Sequence, residues 1–71
     1  MSIRYDVALL ADGKYKYIRV GASGRASSPL SLARSDLENT LAGSVSRARL
    51  ENALRQLDGT GHVTVDADLE G

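Results

Sequence analysis

The dipeptide Asp12-Gly13 constrains this chain more than any other feature, because it lies between Tyr5-Asp6-Val7-Ala8-Leu9-Leu10 and Tyr15-Lys16-Tyr17-Ile18-Arg19-Val20. Asp and Gly tolerate the positive φ that the central positions of a tight turn demand, so a hairpin over residues 2–20 is expected. With Asp12-Gly13 at its centre, the turn sets Leu10 opposite Tyr15, Ala8 opposite Tyr17, Val7 opposite Ile18, Asp6 opposite Arg19 and Tyr5 opposite Val20. One face then holds Ile3, Tyr5, Val7, Leu9, Ile18 and Val20, broken by Lys16, and reads as the core face. The other holds Arg4, Asp6, Ala8, Leu10, Tyr15, Tyr17 and Arg19. A slip of one residue would exchange these faces.

Residues 21–28, GASGRASS, contain no large apolar side chain and read as a mobile surface loop ending at Pro29. Beyond them a helical region is expected over 29–58. Leu30, Ala33, Leu37 and Leu41 recur at helical spacing, and Ser35 with Glu38 forms a candidate capping box. The first helix starts either near Pro29 or at Ser35 after an extended Leu-Ser-Leu, and the sequence leaves both open. Gly43 stops it, and Ser44 or Ser46 caps a second helix that carries Leu50, Ala53, Leu54 and Leu57 on one face and ends by Gly59. His62-Val63-Thr64-Val65-Asp66 alternates and is β-branched, which predicts a third strand over 62–67 with Val63 and Val65 inward, followed by a fraying tail over 68–71. The order strand-strand-helix-helix-strand predicts one small two-layer α+β domain over residues 1–71, with the helical hairpin covering one sheet face. The other face, carrying the tyrosines and arginines, is left open.

At 71 residues the chain suits one domain, and a chain this short buries only about 60% of its unfolded surface, which keeps a homodimer among the expectations. The sequence contains no Trp, Phe or Cys, so the core rests on aliphatic side chains and tyrosine, without disulfides or cysteine-ligated metal. The longest apolar run, Val7 to Ala11, is far short of a membrane span, and Arg4 and Asp6 interrupt any N-terminal signal segment. A cytoplasmic protein is expected.

Charge supplies the main functional signal. The net charge is zero, yet residues 1–34 carry Arg4, Lys14, Lys16, Arg19, Arg25 and Arg34 against Asp6 and Asp12, and the remainder is correspondingly acidic. Aromatic rings interleaved with cations recur at binding surfaces. Arg4, Tyr15, Tyr17, Arg19 and Arg25 are therefore the candidate partner-binding residues, in a protein-binding module that acts as an adaptor or stoichiometric inhibitor of a larger complex. Compact chains of this kind are often made by phages or mobile elements.

The stretch from Ser35 to Val65 resembles, at the level of pattern, the helix-turn-helix and first wing strand of winged-helix DNA-binding domains. The residues concerned are Ser35-Asp36-Leu37 and Leu41, then Ser46-Arg47-Ala48-Arg49-Leu50 and Ala53-Leu54-Arg55-Gln56-Leu57, then Gly61-His62-Val63. That resemblance implies a recognition helix presenting Ser46, Arg47, Arg49 and Asn52 to the major groove. A hairpin stands where the family's first helix would be, and this half of the chain is the acidic one, so nucleic-acid binding is the second expectation. Asp58 to Thr64 resembles the middle of an EF-hand loop but puts Gln56 and Ala67 at two key ligand positions. The glycine loop lacks the Gly-Lys-Ser/Thr ending of a P-loop. No catalytic residue, metal or cofactor is expected. The one histidine, His62, has only common surface neighbours, and a chain this size leaves little room for a substrate pocket.

Overall fold

The computed structural model of the protein describes residues 3–68. Three strands, β1 (Arg4–Leu9), β2 (Tyr15–Val20) and β3 (Leu30–Leu32), precede the helices α1 (Arg34–Ala42) and α2 (Arg47–Thr60), and β4 (His62–Asp66) ends the fold. The sheet order is β3-β2-β1-β4 with every pair antiparallel. This is the expected small α+β domain with one additional strand.

The first hairpin forms where the sequence places it, but with a different turn. Gly13 N–H donates to the Leu10 carbonyl (3.1 Å), Leu10 N–H donates to the Lys14 carbonyl (2.8 Å), and Gly13 has φ +85°. Asp12 accepts the Lys14 N–H at 3.0 Å. The connection is thus Ala11-Asp12-Gly13, with glycine supplying the left-handed residue of a bulged turn. One extra residue in the loop shifts the register by one: Val7 lies opposite Tyr17, Leu9 opposite Tyr15 and Tyr5 opposite Arg19. The expected pairs Val7–Ile18 and Ala8–Tyr17 are therefore incorrect, and the faces of β2 are exchanged. Tyr15 and Tyr17 turn toward the helices, and Ile18 and Val20 turn away.

The same device recurs. Gly24 N–H donates to the Gly21 carbonyl and Gly21 N–H to the Arg25 carbonyl, both at 2.9 Å, with Gly24 at φ +86°. Ser27 N–H then bonds the Arg19 carbonyl at 2.8 Å, and Val20 bridges Ala26. Residues 21–28, expected as a surface loop, thus form a hydrogen-bonded hairpin connection between β2 and β3. Of the two alternatives for the first helix, the extended Leu30-Ser31-Leu32 is the one adopted, as β3.

No capping box forms at Ser35 and Glu38. Ala33 occupies the cap position, and Glu38 accepts Arg34 Nε at 2.8 Å. Gly61, left-handed at φ +85°, terminates α2 by donating to the Leu57 carbonyl, so the helix passes through Gly59. The core joins Tyr5, Val7, Tyr17, Val63 and Val65 of the sheet to Leu37, Leu41, Val45, Ala53 and Leu57 of the helical layer. The buried Leu37, Leu41, Leu57 and Val45 are its most enclosed side chains.

Candidate functional site

The five residues singled out as partner-binding do not form one surface. Tyr17 is 7% exposed, and its ring stacks on Tyr5. Burial, then the neighbouring Tyr5, pushes the Tyr17 phenol up to about 12. Tyr15 is half-buried, with its hydroxyl accepting from Arg34 at 3.1 Å and the Arg34 guanidinium 5.6 Å from its ring centroid. Arg4 lies on the uncovered sheet face, 3.7 Å from Asp6. Arg19 and Arg25 are exposed and share a shallow depression of about 300 Å3 with Ser23 and Ser27. The one-residue register shift removes the aromatic and cationic surface expected on the outer sheet face. Arg19 moves with Tyr15 and Tyr17 to the helix side of the sheet but remains exposed, Arg4 stays on the open face, and the tyrosines become structure.

What the open sheet face carries is Asp6, Ala8, Lys16, Ile18, His62 and Thr64 around a depression of about 250 Å3. Small and polar side chains dominate it, and the Thr64 hydroxyl donates to Asp6 at 3.1 Å.

The residues proposed for a recognition helix are adjacent on α2 and its cap, yet most are engaged internally. Asp68 accepts the Ser46 N–H at 2.6 Å, the Ser46 hydroxyl at 2.7 Å and Arg49 Nε at 3.1 Å. These bonds, those from Ser46 foremost, hold the Asp68 carboxyl below the usual range. Arg47 pairs with Glu51 at 3.4 Å, and Asn52 is exposed. Arg34 from the basic half forms a two-pronged pair with Asp58 at 2.7 and 3.1 Å, which keeps the guanidinium charged and lowers the Asp58 carboxyl. Charge separation along the sequence is thus partly cancelled in space. Lys14, Lys16, Arg19, Arg25 and Arg55 remain without an ion-pair partner among the described residues.

A surface that the sequence reading missed lies on the outside of the helical pair. Ala42 and Val45, with Leu50 and Leu54, form an apolar floor between α1 and α2, in a groove of about 630 Å3 edged by Glu38, Arg47 and Glu51. The spacing of Leu50, Ala53, Leu54 and Leu57 predicts one core face, but the helix divides it. Ala53 and Leu57 are buried toward the sheet, whereas Leu50 and Leu54 are only half-buried. The signal available in the sequence was the doubling itself: two i,i+4 pairs side by side make a stripe wider than one neighbouring layer covers.

No family model, curated protein or solved structure matches the chain. Among the described residues no helix is long and apolar enough to cross a membrane.

Proposed function

We propose that this is a non-enzymatic protein-binding module, an adaptor or stoichiometric inhibitor of a larger complex, and that its docking surface is the groove between α1 and α2. The observation that carries this reading is the half-buried Leu50–Leu54 stripe, apolar at its floor and charged at its edges. Such a groove suits the apolar face of an amphipathic segment, with i, i+3 and i+4 side chains entering and the charged edges fixing its direction. His62, the side chain best suited to acid–base chemistry at neutral pH, supports the non-enzymatic reading because it is exposed on a shallow face. The test is affinity capture from the source cell followed by titration of the captured protein. Leu50→Glu, which puts charge on the groove floor, abolishes binding while the fold is kept. Binding that survives Leu50→Glu removes the groove from the proposal.

A second reading, nucleic-acid binding, draws on the basic residues of β2 and of the connections on either side of it. Lys14, Lys16, Arg19 and Arg25 lack ion-pair partners among the described residues, in contrast to Arg47 and Arg49 of α2. If it holds, binding to short DNA or RNA duplexes or single strands falls steeply with salt and is lost on Arg19→Ala with Arg25→Ala. Binding lost on Arg47→Ala with Arg49→Ala would instead support the helix-first version.

A further inference from the structure

We propose that the outer edge of β4 is a dimerisation edge, occupied by β4 of a second copy of this chain, antiparallel about a two-fold axis through Thr64. The backbone fixes which groups that edge presents. Leu9 N–H donates to the Gly61 carbonyl (2.7 Å) and Ala67 N–H to the Ile3 carbonyl (2.8 Å), both in the β1–β4 register. Hydrogen-bonded pairs alternate along an antiparallel ladder, so Val63 and Val65 spend their backbone groups on β1. The N–H and C=O groups of His62, Thr64 and Asp66 therefore point to the free edge.

The two edges of the sheet differ in protection. At the far edge, β3 is three residues long and follows Pro29, which has no N–H to offer. β4 is five residues long and contains no proline, lysine or bulge. It also reads symmetrically. Pairing His62-Val63-Thr64-Val65-Asp66 with itself about Thr64 sets His62 opposite Asp66 twice, Val63 opposite Val65 twice and Thr64 opposite Thr64. Each imidazole meets a carboxylate on the open face, and the valines extend the covered face across the axis. The opposed pairs His62–Asp66, Thr64–Thr64 and Asp66–His62 are also the ones whose backbone groups point outward, so each exchanges two hydrogen bonds.

Neighbouring groups are compatible with this pairing. The Thr64 hydroxyl is turned to Asp6 on the open face and leaves its own backbone free. The Thr60 hydroxyl lies 2.7 Å from the His62 carbonyl and 2.8 Å from the Gln56 carbonyl, and it accepts the His62 N–H at 3.4 Å; when the partner strand takes His62, the hydroxyl proton turns to Gln56 and the long bond from the His62 N–H is exchanged for one to the partner. On the covered face α2 flanks β4 across a shallow groove edged by Arg49, Asn52 and Gln56, so the polar sides of the two α2 helices face each other. The edge is separate from the α1–α2 groove, so the dimer stands or falls independently of that docking reading.

Sedimentation velocity and light scattering of the full chain from about 1 μM to 1 mM test it, with circular dichroism confirming the fold of each variant. The wild type moves from monomer to dimer as concentration rises. Thr64→Pro removes an N–H that β1 does not use and places a ring on the axis, so its dimer is weakened about 100-fold or more. His62→Asp sets like charges opposite each other on both sides of the axis and weakens the dimer roughly tenfold, and adding Asp66→His to it restores the dimer. A wild type that stays monomeric throughout, or a dimer indifferent to Thr64→Pro, overturns the proposal. So does a double variant no tighter than His62→Asp alone, since restoration depends on this register.

Discussion

Tyr5 and Tyr17 stack across the first hairpin with ring centroids 5.5 Å apart and planes inclined by 24°, and the Tyr5 hydroxyl donates to Ser44 Oγ at 2.9 Å. This pair ties the sheet to the turn between the helices and takes the place of the phenylalanine and tryptophan that the sequence lacks.

Tyr17→Ala removes one ring of that pair from the core. The expected cost is about 3–5 kcal/mol, in the range of large aromatic truncations, and urea or thermal unfolding measures it. Arg19→Ala, one register step away but exposed, changes stability by only about 0.5 kcal/mol. Had the tyrosines lain on the outer face, the two substitutions would have been equally mild.

The Tyr17 phenol also predicts alkaline behaviour. Its folded-state value, pushed up to about 12, lies above the ordinary 10.0 of the unfolded chain. The stabilisation is therefore complete below about pH 10 and is lost as pH rises from there through about 12, because the unfolded state gives up the proton first. The loss is on the order of 1–3 kcal/mol over that window. Urea midpoints between pH 9 and 12 measure it, and Tyr17→Phe flattens the curve relative to wild type.

The architecture was legible in the sequence wherever periodicity carried it: the hairpin, the two helices and the last strand all occupy the expected stretches. The register was not, because Ala11-Asp12-Gly13-Lys14 satisfies two turn geometries that differ by one residue. The two-residue turn needs positive φ at both Asp12 and Gly13, whereas here Gly13 alone is left-handed at φ +85°, and the face assignment of every β2 residue follows from that difference. Ala22-Ser23-Gly24-Arg25 repeats the same small-polar-Gly-basic pattern, so the second hairpin is legible by analogy with the first, although the small polar composition of GASGRASS masks it. Ion pairing was the other blind spot. Arg34 with Asp58 and Arg49 with Asp68 join residues far apart in sequence, and only the packed helices bring them together.

Glycine substitutions separate turn conformation from space. A Cβ at Gly13, Gly24 or Gly59 meets nothing within 4 Å, so each substitution reports backbone preference alone. Gly13→Ala and Gly24→Ala force a left-handed residue and cost about 1–2 kcal/mol each. Gly59→Ala, within α2, stabilises by roughly 0.5–1 kcal/mol. Chemical denaturation of the three variants checks both signs.

Acid sensitivity should trace to Asp58 and Asp68, whose carboxyls Arg34 and Ser46 hold below the ordinary 3.8. A depressed folded-state value means the stabilisation is present above that ordinary value and disappears as pH falls through the lowered ones. Asp58→Asn and Asp68→Asn should each lower the urea midpoint at pH 6 and converge on wild type near pH 2. Variants that stay apart from wild type at pH 2 would show that packing, and not charge, is what these aspartates supply.

The division of α2 into two stripes makes the sharpest separation of stability from binding. Leu57 is 1% exposed, so Leu57→Ala removes a fully enclosed side chain and should cost about 2–5 kcal/mol. Leu50 and Leu54 line the groove and are half-buried, so Leu50→Ala should cost only about 1 kcal/mol, since less of the side chain leaves an apolar setting. Against a partner docked in the groove the order reverses. Leu50→Ala then loses about 2 kcal/mol of binding, as a central anchor does, whereas Leu57→Ala, measured where it remains folded, binds nearly as wild type. Thermal melts paired with titration of the captured partner read both quantities. If Leu50→Ala binds normally while Arg19→Ala with Arg25→Ala does not, the partner docks on the basic surface where β2 runs into the β2–β3 connection, and the groove is only the weakly covered back of the helical layer.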